Sequence, residues 1–289
     1  VEMKFPFSNL RLKASSQDIR DVVGLELGAG LKQGVPAVRL LQKDGETEVV
    51  AAGFIDLNGI LPSSPEDAAA AGSGTWQLPH EFKAPRAAIA INSKQAFLRH
   101  AVDASEEGED KNTVAFRRTK RATADDLPPL TAGLPEFQAA WAARLFPEGH
   151  KPTAFSVQIA ATAAMSGFLR NPAFKQAGGN AIAMLVFAEH TALAAFQDTA
   201  LVLYREQPTG FQHIRNAISS EMHIDNEMAD SLLNDTLVDP TTMIEPILRP
   251  LFRQVEISVD YLSRRRNCPV ENFFIYGLPT GLRYWSIIF

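Results

Sequence analysis

Cysteine is almost absent from this chain, which has a single one, Cys268, among its 289 residues. A lone cysteine excludes an internal disulfide framework and a cysteine-rich zinc site. Long apolar runs are missing too, because the longest, residues 181–188, is far too short to span a bilayer. The first residues lack the charged start and apolar stretch of a signal peptide, so we expect a cytoplasmic protein.

The chain also has no excess of positive charge. Its 28 Lys and Arg residues are outnumbered by 33 Asp and Glu, and the net charge of −5 argues against a nucleic-acid partner. The sequence has no Walker loop, zinc signature or Ser-His-Asp order. His213 and His223 have no evident third ligand, so no metal site is predicted. What is present, 46% apolar and 21% charged residues, is typical of a soluble globular protein.

Two similar strand patterns occur in the two halves of the chain, and each predicts an antiparallel meander. The Asp-Gly pair at 44–45 is a hairpin signal, because a tight turn needs a positive φ. The predicted strands are 21–27, 35–42 and 47–55 in the first half, and 180–186, 191–196 and 200–205 in the second. The repeat predicts a duplicated architecture, which would place a ligand cleft between two like halves.

The segment between the meanders is rich in Pro, Ser, Ala and Gly, carries acidic and basic blocks, and predicts an inserted subdomain over 62–150. Short strands are predicted within it at 87–92 and 95–102, with a helix over 135–146. The predicted domains are 1–61 as the first part of half 1, 62–150 as the insertion, 151–178 as the helix completing half 1, and 179–289 as half 2 with a helical subdomain at about 211–240.

Helical spacing dominates the remaining segments. It predicts one helix over 153–169, a helix starting at Gly210, another capped by Asp225, and a long one over 241–266. Pro246 and Pro250 are expected to kink the long helix or to delay its start. A last strand is predicted at 270–276.

The first strand runs into a glycine turn, VVGLELGAGLK at residues 22–32. Such a turn is a phosphate loop, which binds through backbone N–H groups, or a plain hairpin turn. With the two meanders, the long helix and the late glycine turn, the order resembles the actin-like ATPase superfamily. Within it, the segments most similar to the FtsA-like PilM family of type IV pilus assembly are 22–32, 84–102, 225–232 and 247–282.

This resemblance implies an α/β fold of two actin-like, ribonuclease-H-like halves with an inserted α+β subdomain. It also implies ATP and Mg²⁺ as cofactors, bound by two phosphate loops and an adenosine turn. The matching residues are Glu26, Gly28, Ala29, Gly30 and Lys32 in the first loop, Glu189, His190 and Thr191 in the second, and Gly277, Leu278 and Gly281 in the adenosine turn.

The chain departs from the family pattern in the two loops that the resemblance assigns to metal and phosphate binding. Glu26 replaces an aspartate that helps to organise the metal and the attacking water, and its extra methylene displaces the carboxylate. The second loop has Phe187 in place of an aspartate and has lost its glycine, so a Cβ obstructs close approach of a phosphate. These departures predict weak or absent nucleotide binding and no efficient ATPase activity. Alternatively, Glu26 caps the glycine turn or pairs with Lys32.

The resemblance implies a scaffold rather than an enzyme. In the PilM family the protein binds the cytoplasmic tail of the inner-membrane protein PilN. The resemblance therefore implies binding to a PilN-like tail, contacts with other pilus platform proteins, and self-association. It also implies that a partner protein holds the chain at the cytoplasmic side of the inner membrane. The expected tail-binding residues are Phe97, Leu98 and Arg99; alternatively, Phe97 is a core residue. An active actin-like ATPase or kinase, and an FtsA-like filament former, remain the alternative functions.

Overall fold

The structure is a computed structural model. It describes residues 21–28, 34–56, 78–93, 95–100, 113–117, 127, 130–136, 138–139, 142, 152–176, 178–235 and 239–278. The described strands, numbered along the chain, are β1 (Asp21–Gly28), β2 (Val35–Lys43), β3 (Glu46–Ile55), β4 (Arg86–Asn92), β5 (Phe97–His100), β6 (Thr113–Arg117), β7 (Leu130–Pro135), β8 (Thr153–Ile159), β9 (Ala181–Val186), β10 (Thr191–Gln197), β11 (Ala200–Gln207) and β12 (Phe273–Tyr276). The described helices are α1 (Ala160–Phe168), α2 (Pro172–Gln176), α3 (Phe211–Met222), α4 (Asn226–Asn234) and α5 (Thr241–Arg265).

The described residues fall into two compact units. The first unit takes its residues from within 1–97, 104–116 and 132–163, and the second from within 98–103, 117–131 and 164–289. A separate three-stranded sheet has the order β5-β7-β6. Residues 136, 138, 139 and 142, inside the predicted helix over 135–146, are helical.

The first unit contains a five-stranded sheet of order β3-β2-β1-β4-β8. β1, β2 and β3 form the predicted antiparallel meander, and β4 and β8 continue the sheet in parallel with β1. Asp44 and Gly45 have φ values of 54° and 86°, which confirms the predicted hairpin turn. β1 alternates buried Val23, Leu25 and Leu27 with half-buried residues, as expected of a strand with one covered face.

The second unit repeats this arrangement in a sheet of order β11-β10-β9-β12. β9, β10 and β11 form the second predicted meander, and β12 runs parallel to β9. Every residue of β9 is buried. Helices α3, α4 and α5 share a core with this sheet, in which Met184 and Leu193 belong to the same buried cluster as Ile214, Leu233 and Leu248. The duplicated architecture predicted from the sequence is therefore confirmed.

Two of the predicted segments are corrected by the strand pairing. Residues 153–169 do not form one helix, because 153–159 is the parallel strand β8 and only Ala160–Phe168 is helical. Residues 86–92 fall within the predicted insertion over 62–150, but they lie in the five-stranded sheet of the first unit, between β1 and β8. The predicted domain boundaries remain predictions, with the restriction that β4 belongs to the sheet of the first half.

The long helix α5 starts at Thr241 and contains both prolines, so neither one delays its start. Pro246 and Pro250 are four residues apart on the exposed side, opposite a buried stripe that includes Ile244 and Leu248. A proline in a helix leaves a carbonyl one turn earlier without its usual partner. On the exposed side that carbonyl can bind water, which explains why the helix continues through both positions.

Candidate functional site

The end of β1 holds the described part of the predicted first loop. The Glu26 side chain lies on the half-exposed side of the sheet, where its Oε1 accepts a hydrogen bond of 3.0 Å from Nδ2 of Asn92 at the end of β4. Burial raises the pKa of Glu26 above its ordinary value, and the hydrogen bond from Asn92 opposes this rise only in part. The site therefore disfavours the charged carboxylate that a metal-organising acid would need.

Gly28 serves the contact between β1 and β4. A Cβ at this position would lie 2.7 Å from the carbonyl oxygen of Asn92, closer than any real Cβ contact, so only glycine fits. The other predicted first-loop residues, Ala29, Gly30 and Lys32, lie outside the described residues, and so does the alternative pairing of Glu26 with Lys32. In this unit the predicted residues Glu26 and Gly28 therefore lie together, at the carboxyl end of a parallel strand.

A cavity of about 330 Å³ opens on the same side of this sheet. Its polar lining comes from Glu26, Ser156 and Gln158, and the rest is apolar or glycine. The sequence pattern does not single out Ser156 and Gln158, because it predicts a helix over 153–169. The alternation of Ser156 and Gln158 with Val157 and Ile159 is the strand signal that could have identified them.

The predicted second phosphate loop is a tight turn between β9 and β10. The backbone N–H of Phe187 donates to the carbonyl of His190 at 2.9 Å, and the two side chains stack with ring centroids 4.7 Å apart. Thr191 donates its hydroxyl to the carbonyl of Thr209 at 2.6 Å. Glu189 is half-buried in the turn. Phe187, which replaces the aspartate of the family pattern, therefore contacts His190 across the turn.

This turn is closed by the first turn of helix α3. The backbone N–H groups of Phe211 and Gln212 donate to the carbonyls of Phe187 and Ala188, each at 2.8 Å. These are helix N-terminal groups of the kind that elsewhere bind phosphate. Gly210 makes the approach possible, because a Cβ there would lie 2.4 Å from the backbone nitrogen of His190. The N–H groups are therefore already used by the protein itself.

The predicted adenosine turn begins beside the same strand end. Gly277 has a φ of 83°, and a Cβ on it would lie 2.1 Å from the carbonyl oxygen of Val186, so this position requires glycine. Leu278 packs against the hydrophobic core of the second unit. Gly281 lies outside the described residues. The second unit thus brings Gly277 next to the turn at 187–190, at the carboxyl ends of β9 and β12.

The expected tail-binding residues lie on β5. Leu98 is buried, whereas Phe97 and Arg99 are half-buried, as strand alternation predicts. The ring of Phe97 lies over Gly133 of β7, where a Cβ would be 2.1 Å from its Cε1. The part of Phe97 that faces β7 is therefore packed. Tail binding by these residues stays a prediction.

Two features are absent from the part of the chain that the structure describes. The described residues contain no group of three or more His, Cys, Asp or Glu side chains that could hold a metal ion. Among the described helices, none combines the length and the apolar character needed to cross a membrane.

Comparison with known proteins places the fold. No protein-family model matches the sequence, and no curated protein matches it significantly. Among solved structures, the chain is similar to one described as a PilM-PilN type IV pilus biogenesis complex, with a TM-score of 0.65 and 13% identity over 92% of this chain and 84% of that one.

Two further structures are similar at lower scores. A Bacteroides thetaiotaomicron protein with an actin-like ATPase fold and unknown function gives a TM-score of 0.45 at 10% identity, over 89% of this chain and 90% of that one. MreB 5 of Spiroplasma citri bound to AMPPNP gives 0.44 at 12% identity, over 94% and 90%. The similarity to the PilM-PilN structure, at a TM-score of 0.65, shows that the chain has the actin-like ATPase fold predicted from its sequence.

Proposed function

We propose that this chain is a scaffold of a type IV pilus-like assembly machine, with weak or no ATPase activity. It binds the cytoplasmic tail of a PilN-like inner-membrane protein and is thereby held at the membrane from the cytoplasmic side. The observation that carries this proposal is the similarity, over nearly the whole chain, to a structure of a PilM-PilN complex. Contacts with other platform proteins and self-association belong to the same proposal.

The closed turn of the second unit supports the scaffold over the ATPase. A phosphate loop needs free backbone N–H groups and room beside the backbone. Here the N–H groups of Phe211 and Gln212 are bonded to the turn at 187–190, and the stacked rings of Phe187 and His190 flank it. A protein that keeps the fold without these features retains surfaces for binding rather than a site for hydrolysis.

We further propose β5 as part of the tail-binding surface. Phe97 and Arg99 share one side of the strand, and an aromatic side chain beside an arginine suits a short peptide with one apolar anchor and a carbonyl or carboxylate. Leu98 faces the opposite side and is buried, so it supports the strand instead of contacting the peptide.

The experiment is a calorimetric titration of the full chain with a synthetic peptide of the PilN-like tail. Wild type is expected to bind, and Arg99→Ala to weaken binding by more than about 1 kcal/mol, the loss typical of an interface residue that matters. Arg249→Ala is the matched control, because Arg249 is exposed on α5 and, among the residues that the structure describes, its ion pair is with Glu245 one turn away. Unchanged tail affinity in a folded Arg99→Ala variant would reject β5 as the site, and no binding by wild type would reject the scaffold itself.

A further inference from the structure

The pairing register of the first sheet places two rows of residues across its half-exposed side. One row is Glu26, Ala90 and Gln158, and the other is Gly24, Ala88 and Ser156. The middle strand β4 contributes only alanine to both rows. In the first row the methyl group of Ala90 lies between two longer side chains, and in the second row Ser156 is the longest side chain, so the sheet surface is low along β4 and at Gly24 beside it. We call the resulting cavity, of about 330 Å³, the β4 trough.

The β4 trough has apolar lining residues besides Glu26, Ser156 and Gln158. Pro36 and Val38 of β2 line it beyond β1, and Ala163 of α1 also contributes. No arginine or lysine is among the described residues that line it. The described lining therefore offers no cationic side chain to neutralise an anion, and a nucleotide phosphate placed there would face the carboxyl group of Glu26.

Gln158 supplies an unused hydrogen-bond acceptor. Its Nε2 donates to the hydroxyl of Ser156 at 3.0 Å, while its Oε1 is buried and has no hydrogen-bond partner in the part of the chain that the structure describes. Exchanging the two amide atoms would satisfy the oxygen only by leaving the nitrogen without a partner. With Ser156 accepting, the amide oxygen is left for an N–H donor that enters the trough.

Glu26 supplies a second acceptor, and it can carry a charge. Among the residues that the structure describes, its one hydrogen-bond partner is Asn92, and none forms an ion pair with it. A half-buried carboxylate without a counter-charge is unfavourable, and a bound cation would compensate it. Both acceptors border the same trough, with Ala90 between them in register.

We propose that the β4 trough binds a small organic cation of the alkylguanidinium type. Its planar N–H groups donate to the carboxylate of Glu26 and to the amide oxygen of Gln158, and its alkyl part lies on Pro36, Val38 and the two alanines of β4. The volume of the trough is at the small end of the range for small-molecule sites, which favours a compact ligand. This inference does not depend on the proposed scaffold function.

The test is a titration of the full chain with two probes of nearly the same shape, butylguanidinium and neutral butylurea. Wild type is expected to bind butylguanidinium saturably and about tenfold or more tightly than butylurea, as a charge-assisted contact requires. Glu26→Gln should lower the affinity for butylguanidinium at least tenfold, so that the variant binds the two probes with nearly equal affinity. Glu245→Gln, which removes an exposed carboxylate on α5, is the matched control and should change nothing.

A second variant keeps the test decisive if Glu26→Gln does not fold. Gln158→Met retains the length of the side chain and removes both polar amide atoms, so it should fold and should bind butylguanidinium several-fold more weakly. The proposal is overturned if wild type shows no saturable binding at millimolar butylguanidinium. Equal affinity for the two probes, or unchanged binding in the folded trough variants, would overturn it as well.

Discussion

Individual glycines mark the places where backbone meets backbone in this molecule. Gly28 lies against Asn92, Gly210 against the turn at 187–190, and Gly277 against Val186. Gly28 and Gly277 lie in segments that resemble the nucleotide-binding loops of actin-like proteins, yet each has a packing role that is sufficient to explain it. A glycine in a family motif is therefore weak evidence for phosphate binding unless the space beside it is open.

Two Gly→Ala substitutions test this packing role. Gly210→Ala should destabilise the protein by about 2 kcal/mol or more, because its Cβ would collide with the backbone of the turn. Gly167→Ala is the matched control: Gly167 is an exposed residue of α1 with nothing within 4 Å of the added Cβ, and alanine there should stabilise by about 0.5 kcal/mol. Urea denaturation of both variants measures the difference, and equal effects would contradict the packing role.

Glu26 has an effect on stability whose sign follows from its pKa. Because burial raises the pKa of Glu26 in the folded state, the unfolded carboxyl ionises first, and the folded state loses stability as the pH rises from the unfolded pKa through the higher folded one. Glu26→Gln removes this loss and can still accept the hydrogen bond from Asn92. We therefore expect the variant to melt at a higher temperature than wild type at about pH 7.5 and at nearly the same temperature at about pH 4.

Melting curves at the two pH values decide this prediction. Glu245→Gln again serves as the control, because an exposed carboxylate in a surface ion pair contributes little at either pH. A Glu26→Gln variant that melts below wild type at neutral pH would show that the carboxylate is stabilised in the folded protein. If the β4 trough proposal holds as well, Glu26→Gln makes the protein more stable and weakens its binding of butylguanidinium.

At the scale of elements, the meanders could be predicted because their signals are local. Strand alternation and the Asp-Gly turn at 44–45 depend only on neighbouring residues. β8 was missed because its partner β4 is distant in sequence, and an alanine-rich helix follows it directly. For the same reason the sequence pattern did not indicate Ser156 and Gln158, two of the three polar residues that line the β4 trough. The bonds from α3 to the turn at 187–190 left no sequence pattern at all.

The closed turn of the second unit leads to a prediction about nucleotide. We expect ATP with Mg²⁺ to bind more weakly than about 1 mM, because α3 and the stacked rings of Phe187 and His190 occupy the second loop. Isothermal titration calorimetry and a phosphate-release assay measure binding and turnover, with an active actin-like ATPase measured in parallel. Micromolar affinity together with steady turnover would contradict the scaffold and favour the ATPase or kinase alternative.

At the scale of the whole molecule, the same strand arrangement occurs in both units, but its strands are buried to different degrees. Each unit has a meander extended by a parallel strand, in the orders β3-β2-β1-β4 and β11-β10-β9-β12. β9 is buried along its whole length, whereas its counterpart β1 is buried only at alternate residues. On the edge strands, β3 leaves Val49, Val50 and Phe54 exposed by 60%, 43% and 58%, whereas most of its counterpart β11 is buried or half-buried. The sequence pattern predicted the duplication but not this difference, because cover by other elements depends on tertiary packing.

The position of β4 decides how the proposed insertion can be removed. β4 pairs with β1 and β8, so excising residues 62–150 would take out a central strand and should unfold the first unit. Excising 94–151 leaves every strand of the five-stranded sheet in place. Because β4 and β8 are parallel, the chain must cross the length of the sheet between them, which requires a linker of about 14 residues.

We expect the variant with 94–151 replaced by such a Gly/Ser linker to unfold cooperatively and to lose binding of the PilN-like tail, since β5 is removed. Circular dichroism with thermal melting tests the first part, and calorimetry with the tail peptide tests the second. A linker variant that fails to fold would show that the segment is part of the core and not an insertion. A folded variant with full tail affinity would place the tail-binding surface on the two duplicated sheets or their helices, because these are the elements that the excision leaves.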